Sequence, residues 1–379
     1  MDFALSEEQQ RIREAIAKLC TRFPDDYWLK RDREGGFPAD FHQALARDGW
    51  LGVAMPEEFG GAGLGIAEAA VMMQAIAESG AGFSGASAVH MNIFGLNPVV
   101  VFGAQAQKER MLPPLIAGKE RACFAVTEPN TGLNTKKIKT KAERRGDKYV
   151  VSGQKVWIST AQVAEKVLLL TQAAGGLTLF YTDLDRRHIE VREIDKMGRH
   201  AVDSNQLFFD ALPVPEEDRI GEEGRGFEYI LHGMNPERIL IAAELVGLGR
   251  CAVNRAAAYA KERVVFDRPI GQNQAIQHPL AANWMALEAA NLVAFKAAWL
   301  YDGGKPCGAE ANAAKYLAGE ACFDACQQAV MTHGGFGYAR EYHVERYLRE
   351  SFVGRIAPVS RELILCYIAE RVLGLPKSY

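Results

Sequence analysis

Hydrophobic positions in about the first 118 residues recur at helical spacing, three or four residues apart. This periodicity predicts one helix over Ala39–Arg47 and another over residues 66–79. The chain also begins with a helical pattern, for which Ser6 is the predicted N-cap. We therefore expect an N-terminal helical domain over residues 1–118.

The pattern changes near residue 120 to the alternation that is typical of strands. Gly153 reads as part of a tight turn between two strands, and Gly175-Gly176 is a strong hairpin signal. The predicted strands cover residues 149–153, 155–159, 167–171, 177–182, 189–194 and 206–209, before Pro213 and Pro215 close the region. Helices and strands do not alternate, so a small antiparallel β domain over residues 119–224 is favoured over a Rossmann fold.

After about residue 225 the pattern is helical again. Asn235-Pro236-Glu237 is typical of a helix start, with a cap followed by proline at the first helical position, and that helix should run to about Arg263. Further helices are predicted over about residues 279–301 and 309–333, the second ending at Gly334, and after Ser360. The expected fold is mainly α with a central β domain, and it ends in a C-terminal four-helix bundle over residues 225–379.

Composition narrows the function without identifying it. The net charge of −3 does not favour nucleic acid or an anionic membrane as a partner. No stretch approaches about 20 uninterrupted apolar residues, and the first residues do not read as a secretory signal. The seven cysteines are scattered, which predicts reduced thiols in a cytoplasmic protein. Cys322 and Cys326 lie one helical turn apart, and core packing is favoured over metal binding.

The most specific motif runs from Phe124 to Asn134 and reads FAVTEPNTGLN. Together with the order helices, β domain, helices, this stretch resembles the acyl-CoA dehydrogenase family, whose flavin-binding loop reads aromatic-x-V-T-E-P-x-x-G-S-D. The resemblance implies that backbone N–H groups and Thr127 bond the polar edge of an isoalloxazine, and that Gly132 lets the backbone approach a phosphate. The resemblance covers essentially the whole chain. Leu133 departs from it, because family members usually carry serine there.

The resemblance implies FAD as cofactor. The indole of Trp157 would cover the flavin, and Arg263 and Gln274 would reach the FAD of a neighbouring subunit in a homotetramer. Met331 stands where members usually carry glutamine. Ordinary alternatives remain: Trp157 could pack in a core, and Arg263 could be a cation at a helix end. The implied cofactor-binding set is Phe124, Val126, Thr127, Gly132, Leu133, Trp157, Ile158, Ser159, Arg263, Val265, Phe266, Gln274, Met331, Gly334, Gly335 and Ser360.

The catalytic base is implied less directly. Many members carry a glutamate about nine residues after the arginine of a short R-D or R-E pair, and here that position holds Pro358. Members resembling isovaleryl-CoA and long-chain dehydrogenases instead place the glutamate just before an arginine of the C-terminal domain. This chain has Glu237-Arg238 there, which implies Glu237 as the base. The alternative is that Glu237 is a favourable residue at a helix start.

The resemblance also implies a substrate site and a reaction. Leu133, Asn235, Arg238 and Val359 are the candidates for contact with an acyl-CoA, and Val359 could donate the N–H that Pro358 lacks. The implied reaction is α,β-dehydrogenation to the trans-2-enoyl-CoA, with electrons passed to an electron-transfer flavoprotein. Burial should raise the pKa of Glu237. An acyl-CoA oxidase, an enoyl-CoA reductase and a non-catalytic acyl-CoA-binding protein remain open alternatives.

Overall fold

The computed structural model describes residues 4–378, with the side chain of Phe94 left aside. Residues 1–3 and 379, which the predicted terminal domains include, lie outside the described part. The predicted first helix is present, and its cap is formed in both directions: Ser6 Oγ accepts from the N–H of Gln9, and the Gln9 side chain accepts from the N–H of Ser6. The N-terminal helices are α1 Glu7–Cys20, α2 Asp25–Glu34, α3 Ala39–Arg47, α4 Ile66–Ile76, α5 Gly82–His90, α6 Asn97–Phe102 and α7 Gln105–Ile116.

The helical run from α4 to α6 forms the centre of the N-terminal domain. The predicted helix over residues 66–79 is regular only as far as Ile76. The π-helical turn Ala77–Ala81 then leads into α5. By length and composition alone, Ile66–Phe102 is long and apolar enough to cross a membrane, but 71% of its most apolar window is buried inside the protein. Burial of this kind is what a core helix requires.

The central domain is built on one eight-stranded sheet, in which the order along the main path is β6-β7-β3-β2-β4-β5-β8. Most neighbours are antiparallel, as expected, but β1 and β2 each pair with β4 in parallel. The hairpin at Gly175-Gly176 is confirmed. The strands are β1 Ala122–Ala125, β2 Lys141–Arg145, β3 Lys148–Ser159, β4 Lys166–Ala173, β5 Gly176–Asp183, β6 Ile189–Glu193, β7 Ser204–Pro215 and β8 Arg219–Ile220.

The predicted turn at Gly153 is wrong, because residues 148–159 form the single strand β3, which pairs with β7 along its length. Gly153 has φ +151°, and a Cβ on it would lie 2.6 Å from the Cα of Thr140. The glycine therefore allows a close approach of two backbones inside the sheet. The pairing of β3 with β7 shifts register between Val151 and Gly153, at the place where the sequence pattern predicted a turn.

The C-terminal domain is dominated by three long helices. Sequence reasoning placed the last two of them and the capped final helix within a few residues. A two-stranded hairpin, β9 Val264–Val265 and β10 Arg268–Pro269, follows the first long helix. The helices are α8 Gly226–Glu262, α9 Gln274–Asp302, α10 Gly308–His333, α11 Val344–Ser351, α12 Val353–Ile356 and α13 Arg361–Arg371.

The predicted helix start at Asn235-Pro236 is wrong, because α8 begins nine residues earlier, at Gly226. A Cβ on Gly226 would lie 2.6 Å from the backbone N of Leu179, so the helix starts tight against β5. Tyr229 is buried and stacks on Phe102 with ring centroids 4.2 Å apart. This packing of the first turns outweighs the loss of one backbone hydrogen bond at Pro236.

Successive side chains of β4 pack on opposite faces of the sheet and connect the β domain to the N-terminal helical domain. Leu168 and Leu170 belong to an apolar cluster with residues of α6 and α7, whereas Val167 and Leu169 belong to the internal core of the β domain. The sheet is therefore buried on both faces at β4. This arrangement fixes the residues that follow β1 relative to the helical domains.

Candidate active site

The motif loop that begins at Phe124 starts on β1 and continues into solvent. Phe124 is half-buried and Val126 is buried. The carbonyl of Thr127 accepts a hydrogen bond from the N–H of Val156 at 3.0 Å, which ties the loop to β3. Leu133 is 63% exposed. The loop is therefore anchored at its start and open to a ligand at its end.

A buried ion pair holds this loop. Lys155 Nζ lies 3.0 Å from Glu128 Oε1 and donates to the carbonyl of Val126 at 2.9 Å. Glu128 also accepts from the N–H groups of Lys139 and Thr140, at 2.6 and 2.9 Å. Burial would raise the pKa of Glu128, but Lys155 and these donors hold it below its usual value. Burial lowers the pKa of Lys155 to about 8.

Next to this pair, β3 presents an indole to solvent. The register of β3 against β7 shifts between Lys155 and Ile158, and Trp157 within this irregularity has φ +63°. Ile158 is buried, whereas Trp157 is 60% exposed. The bulge re-aims the side chain outward from a strand whose neighbours point into the core.

Arg199, from the loop between β6 and β7, joins β3 to α5. Its Nη2 donates to Ser159 Oγ at 3.0 Å and lies 3.3 Å from Ser204 Oγ, and its Nη1 lies 3.2 Å from Ser87 Oγ on α5. The predicted Ser159 is thus bonded to a cation that bridges the β domain and the helices.

Glu237 lies on α8 and is 7% exposed. Its Oε1 and Oε2 differ, because Oε2 is buried with no hydrogen-bond partner among residues 4–378. Burial raises its pKa to about 7, against the attraction of His90, Arg238 and Lys315, while Glu244 adds to the rise. The expected direction of this pKa shift is confirmed.

Glu244 follows two turns further along α8 and is fully buried. Its Oε1 lies 2.5 Å from His90 Nδ1, the last residue of α5. Burial alone would lower the pKa of His90, but Glu244 raises it above its usual value.

The segment at Pro358 lies against α10. Pro358 is exposed, and Lys315 Nζ donates to the carbonyl of Val359 at 2.6 Å. Ser360 Oγ accepts from the N–H of Leu363 at 3.3 Å and so caps α13. The structure thus gives Ser360 a role in the fold beside the cofactor role that the resemblance implies.

Asn235 and Arg238 lie together on α8. Arg238 Nη1 donates to the carbonyl of Met234 at 3.2 Å and lies 3.4 Å from Asn235 Oδ1. Arg238 Nε is buried without a partner in the described part of the chain. Both candidates are therefore within one turn of Glu237.

The remaining cofactor candidates lie at the far end of α8. Arg263 directly follows the helix, about 39 Å along its axis from Glu237. Its guanidinium carbon lies 5.6 Å from the ring centroid of Phe336. The side chains in this group are all exposed, and they belong to Arg263, Val265, Phe266, Gln274 and Met331, with Gly334 and Gly335 beside them.

Comparisons with known proteins agree with this arrangement. Three family models match successive segments: the acyl-CoA dehydrogenase N-terminal domain over residues 6–119, the middle domain over 123–212 and the C-terminal domain over 224–373. The chain belongs to the acyl-CoA dehydrogenase family. It is therefore an FAD-dependent oxidoreductase by family, and the predicted family, fold class and cofactor are confirmed.

Relatives within this family include acyl-CoA dehydrogenase FadE12 of Mycobacterium tuberculosis, which is 36% identical over 100% of this chain and 99% of the relative. The caffeyl-CoA reductase-Etf complex subunit CarC of Acetobacterium woodii is 31% identical over 91% of this chain and 93% of its own. Among solved structures, butyryl-CoA dehydrogenase from Megasphaera elsdenii has a TM-score of 0.94 and 29% identity, and covers 98% of this chain and 100% of its own.

The chain's own surface fits the family cofactor. Trp157 exposes a flat ring, and Thr131 Oγ1 is buried without a hydrogen-bond partner in the described residues. A Cβ built on Gly132 or Gly335 would meet nothing within 4 Å, and neither glycine has a positive φ. Nothing inside the chain requires glycine at these two positions, so they are suited to the approach of a group from outside.

Sequence reasoning missed several residues of the site. Lys155 could have been noticed, because it lies an even number of positions from Tyr149 and Val151 in the same strand, and both of these side chains are buried. His90, Arg199 and Glu244 carried no usable signal. Their importance arises from contacts between segments far apart in the chain, which a local pattern does not contain.

Proposed function

We propose that this family member catalyses the α,β-dehydrogenation of an acyl-CoA thioester to the trans-2-enoyl-CoA, with Glu237 as the base. The state of Glu237 is the observation that carries the proposal. It is buried, it keeps one oxygen without a protein partner, and its pKa is raised to about 7. A general base works best when its pKa lies near the working pH, and such perturbed groups concentrate at functional sites.

One alternative carboxylate is already used by the fold. Glu350, of the Arg349-Glu350 pair, accepts from the N–H groups of Phe83 and Ser84 at 2.7 and 3.2 Å and from Ser84 Oγ at 2.6 Å. These bonds satisfy the first turn of α5. Glu244 is bonded to His90 and position 358 holds proline, so Glu237 is the favoured base.

Three residues would have distinct roles in this reaction. Glu237 Oε2 takes the α proton of the thioester. Lys315 holds the carbonyl of Val359 and so orients this residue, whose N–H we propose as the donor to the thioester oxygen in place of Pro358. FAD, when bound, supplies the acceptor for the hydride from the β carbon.

Glu237→Gln tests this assignment, because it keeps the side-chain volume and removes the basic oxygen. We expect FAD and acyl-CoA still to bind, while anaerobic bleaching of the flavin by a panel of straight and branched acyl-CoAs slows by at least about 100-fold. The matched control is Glu228→Gln, an exposed glutamate on the same helix paired with Arg225. Near-wild-type bleaching in Glu237→Gln would contradict the proposal.

A second candidate is the reverse reaction, reduction of an enoyl-CoA, because one relative is named as a subunit of a caffeyl-CoA reductase-Etf complex. The same name supports an electron-transfer flavoprotein as the redox partner. Comparing bleaching of oxidised enzyme by acyl-CoA with reoxidation of reduced enzyme by enoyl-CoA separates the two directions. Peroxide released in air during turnover would instead indicate an oxidase.

We propose a homotetramer in the cytoplasm. Arg263 lies too far along α8 from Glu237 for one chain to bring both to one flavin, so a second copy would supply Arg263. The outer face of α9 also exposes large apolar side chains, which an oligomer would cover. They are Trp284, Met285, Leu292 and Trp299. The free state of all seven cysteines is compatible with the cytoplasm.

Arg263→Ala tests the shared cofactor site. Loss of a charged hydrogen bond of about 1.5–3 kcal/mol should weaken FAD binding by roughly 10- to 100-fold, with little change in apoprotein stability. FAD content is measured by absorbance after size-exclusion chromatography. A monomer that keeps full FAD occupancy, or an unchanged FAD content in Arg263→Ala, would argue against the assembly.

A further inference from the structure

Two carboxylates share one buried face of α8. Glu237 and Glu244 are seven residues apart, which places them on the same side of the helix, about 10 Å apart along its axis. Each has an Oε2 that is buried without a hydrogen-bond partner among the described residues. Two buried carboxylates so close together would repel each other and would favour protonation of one of them.

His90 is the group that interacts with both. Its Nδ1 lies 2.5 Å from Glu244 Oε1, and among the charges near Glu237 it contributes the largest attraction. Burial would favour a neutral imidazole, but Glu244 raises the pKa of His90 above its usual value. Contact with Glu244 therefore favours the imidazolium form of His90 over the neutral form that burial alone would favour.

We propose that His90, held in its charged form by Glu244, is a positioning residue that keeps Glu237 ionised and ready to accept a proton. This inference rests on the proposed role of Glu237 as the base. It adds that the base depends on a charge supplied by α5, from a different domain. The sequence between residues 82 and 90 gave no indication of this role.

The other charged groups around Glu237 cannot replace His90 without changing their own contacts. Arg238, on α8, is bonded to Met234 and Asn235, and Lys315, on α10, donates to the carbonyl of Val359. From the β domain, Arg199 acts on His90 and Glu244.

Glu244 itself opposes the ionisation of Glu237, but less strongly than His90 favours it. The pair His90–Glu244 therefore has a net effect in favour of the carboxylate. This order of effects predicts the behaviour of variants that remove one or both members of the pair.

His90→Gln removes the charge and keeps a polar side chain of similar length. We expect the acid limb of the pH profile for anaerobic flavin reduction to move to higher pH. The rate should fall about tenfold near pH 6.5 and recover to within about threefold of wild type near pH 9. The matched control is His42→Gln on α3, a buried histidine that bonds Asn92 and does not act on Glu237. Its acid limb should stay in place.

The double variant His90→Gln/Glu244→Gln avoids leaving a buried carboxylate without its partner, so it guards against a loss of folding in the single variant. Its acid limb should also move to higher pH, but by less than in His90→Gln. An acid limb that stays at the wild-type position in both variants, or a rate that falls equally at every pH, would overturn the inference and leave His90 as a packing residue.

Glu237→Gln separates this failure from failure of the proposed function. If Glu237→Gln reduces flavin at the wild-type rate, the base is wrong and the acid limb does not report Glu237. If Glu237→Gln blocks reduction while His90→Gln leaves the limb unmoved, only the role of His90 is rejected.

Discussion

Two buried glutamates of this protein have opposite surroundings. Glu128, between β1 and β2, accepts hydrogen bonds from two backbone N–H groups and from Lys155, and its pKa is lowered. Glu237, on α8, is equally hidden from solvent, but Oε2 has no partner in the described structure and its pKa is raised. Burial is common to both, so the charge of Lys155 and the donors around Glu128 give its pKa the opposite shift.

This difference separates a carboxylate that holds the fold from one that is available for chemistry. Both oxygens of Glu128 accept hydrogen bonds from the protein, so its charge stabilises the loop that begins at Phe124. Glu237 is left unsatisfied, which costs stability and leaves an oxygen able to take a proton. The variants below test this division.

Glu128→Gln should have the largest effect on stability. It leaves the ammonium of Lys155 buried without a counter-charge, and breaking one side of a buried pair costs about 3–5 kcal/mol. Urea unfolding of the purified variant measures this loss, and FAD content should fall with it because the pair anchors the motif loop.

The control for Glu128 is Glu143→Gln, an exposed glutamate on β2, which should stay within about 0.5 kcal/mol of wild type. The double variant Glu128→Gln/Lys155→Met should regain much of the loss, because it removes both charges from the interior. Wild-type stability in Glu128→Gln would show that the pair does not support the fold.

Glu237→Gln should instead stabilise the protein, and more so at high pH. The pKa of Glu237 is raised from 4.5 to about 7 by folding, so the native state holds a proton that the unfolded chain releases between these values. Stability contributed by this residue therefore falls as pH rises from about 4.5 to about 7, by about 3 kcal/mol in total. The variant lacks this penalty.

Urea unfolding at pH 5 and pH 8, at equal FAD saturation, measures the effect of Glu237→Gln. We expect little difference from wild type at pH 5 and a gain of up to about 3 kcal/mol at pH 8. An equal loss of stability at both pH values would mean that Glu237 has structural partners like those of Glu128.

Ser360→Ala should have the smallest effect. Its hydroxyl oxygen accepts from the N–H of Leu363, and loss of such a cap costs about 1 kcal/mol. Ser360→Asp should keep the cap and the stability. FAD content should not change in either variant if the hydroxyl serves α13 alone, whereas loss of FAD in both would support the cofactor role that the resemblance implies.

Local signals in the sequence were sufficient where contacts are local. The cap at Ser6, the hairpin at Gly175-Gly176 and the helix after Ser360 were predicted because each depends on residues within a few positions. The start of α8 was not predicted correctly. Asn235-Pro236 has the chemistry of a helix start, but the packing of Tyr229 on Phe102 extends the helix past it, and that packing joins residues about 127 positions apart.

In the candidate site, too, some residues were predicted from the sequence and others depend on contacts between distant segments. The sequence identified Glu237 and Trp157 through a resemblance, and the structure adds the burial of one and the exposure of the other. The charges from other segments that favour ionised Glu237 include His90 on α5 and Lys315 on α10. They could not be predicted, because only the folded chain brings these segments close to α8.

The length of α8 has a consequence for mixed assemblies. In the proposed oligomer, a single helix carries the base of one site near its start and, just beyond its end, the arginine of a neighbour's site. A chain with Glu237→Gln and a chain with Arg263→Ala would then complement each other when combined, because some sites would receive both intact residues. Activity regained by mixing the two impaired proteins at limiting FAD would reveal which chain serves which flavin, and a damaged subunit would impair its neighbour as well as itself.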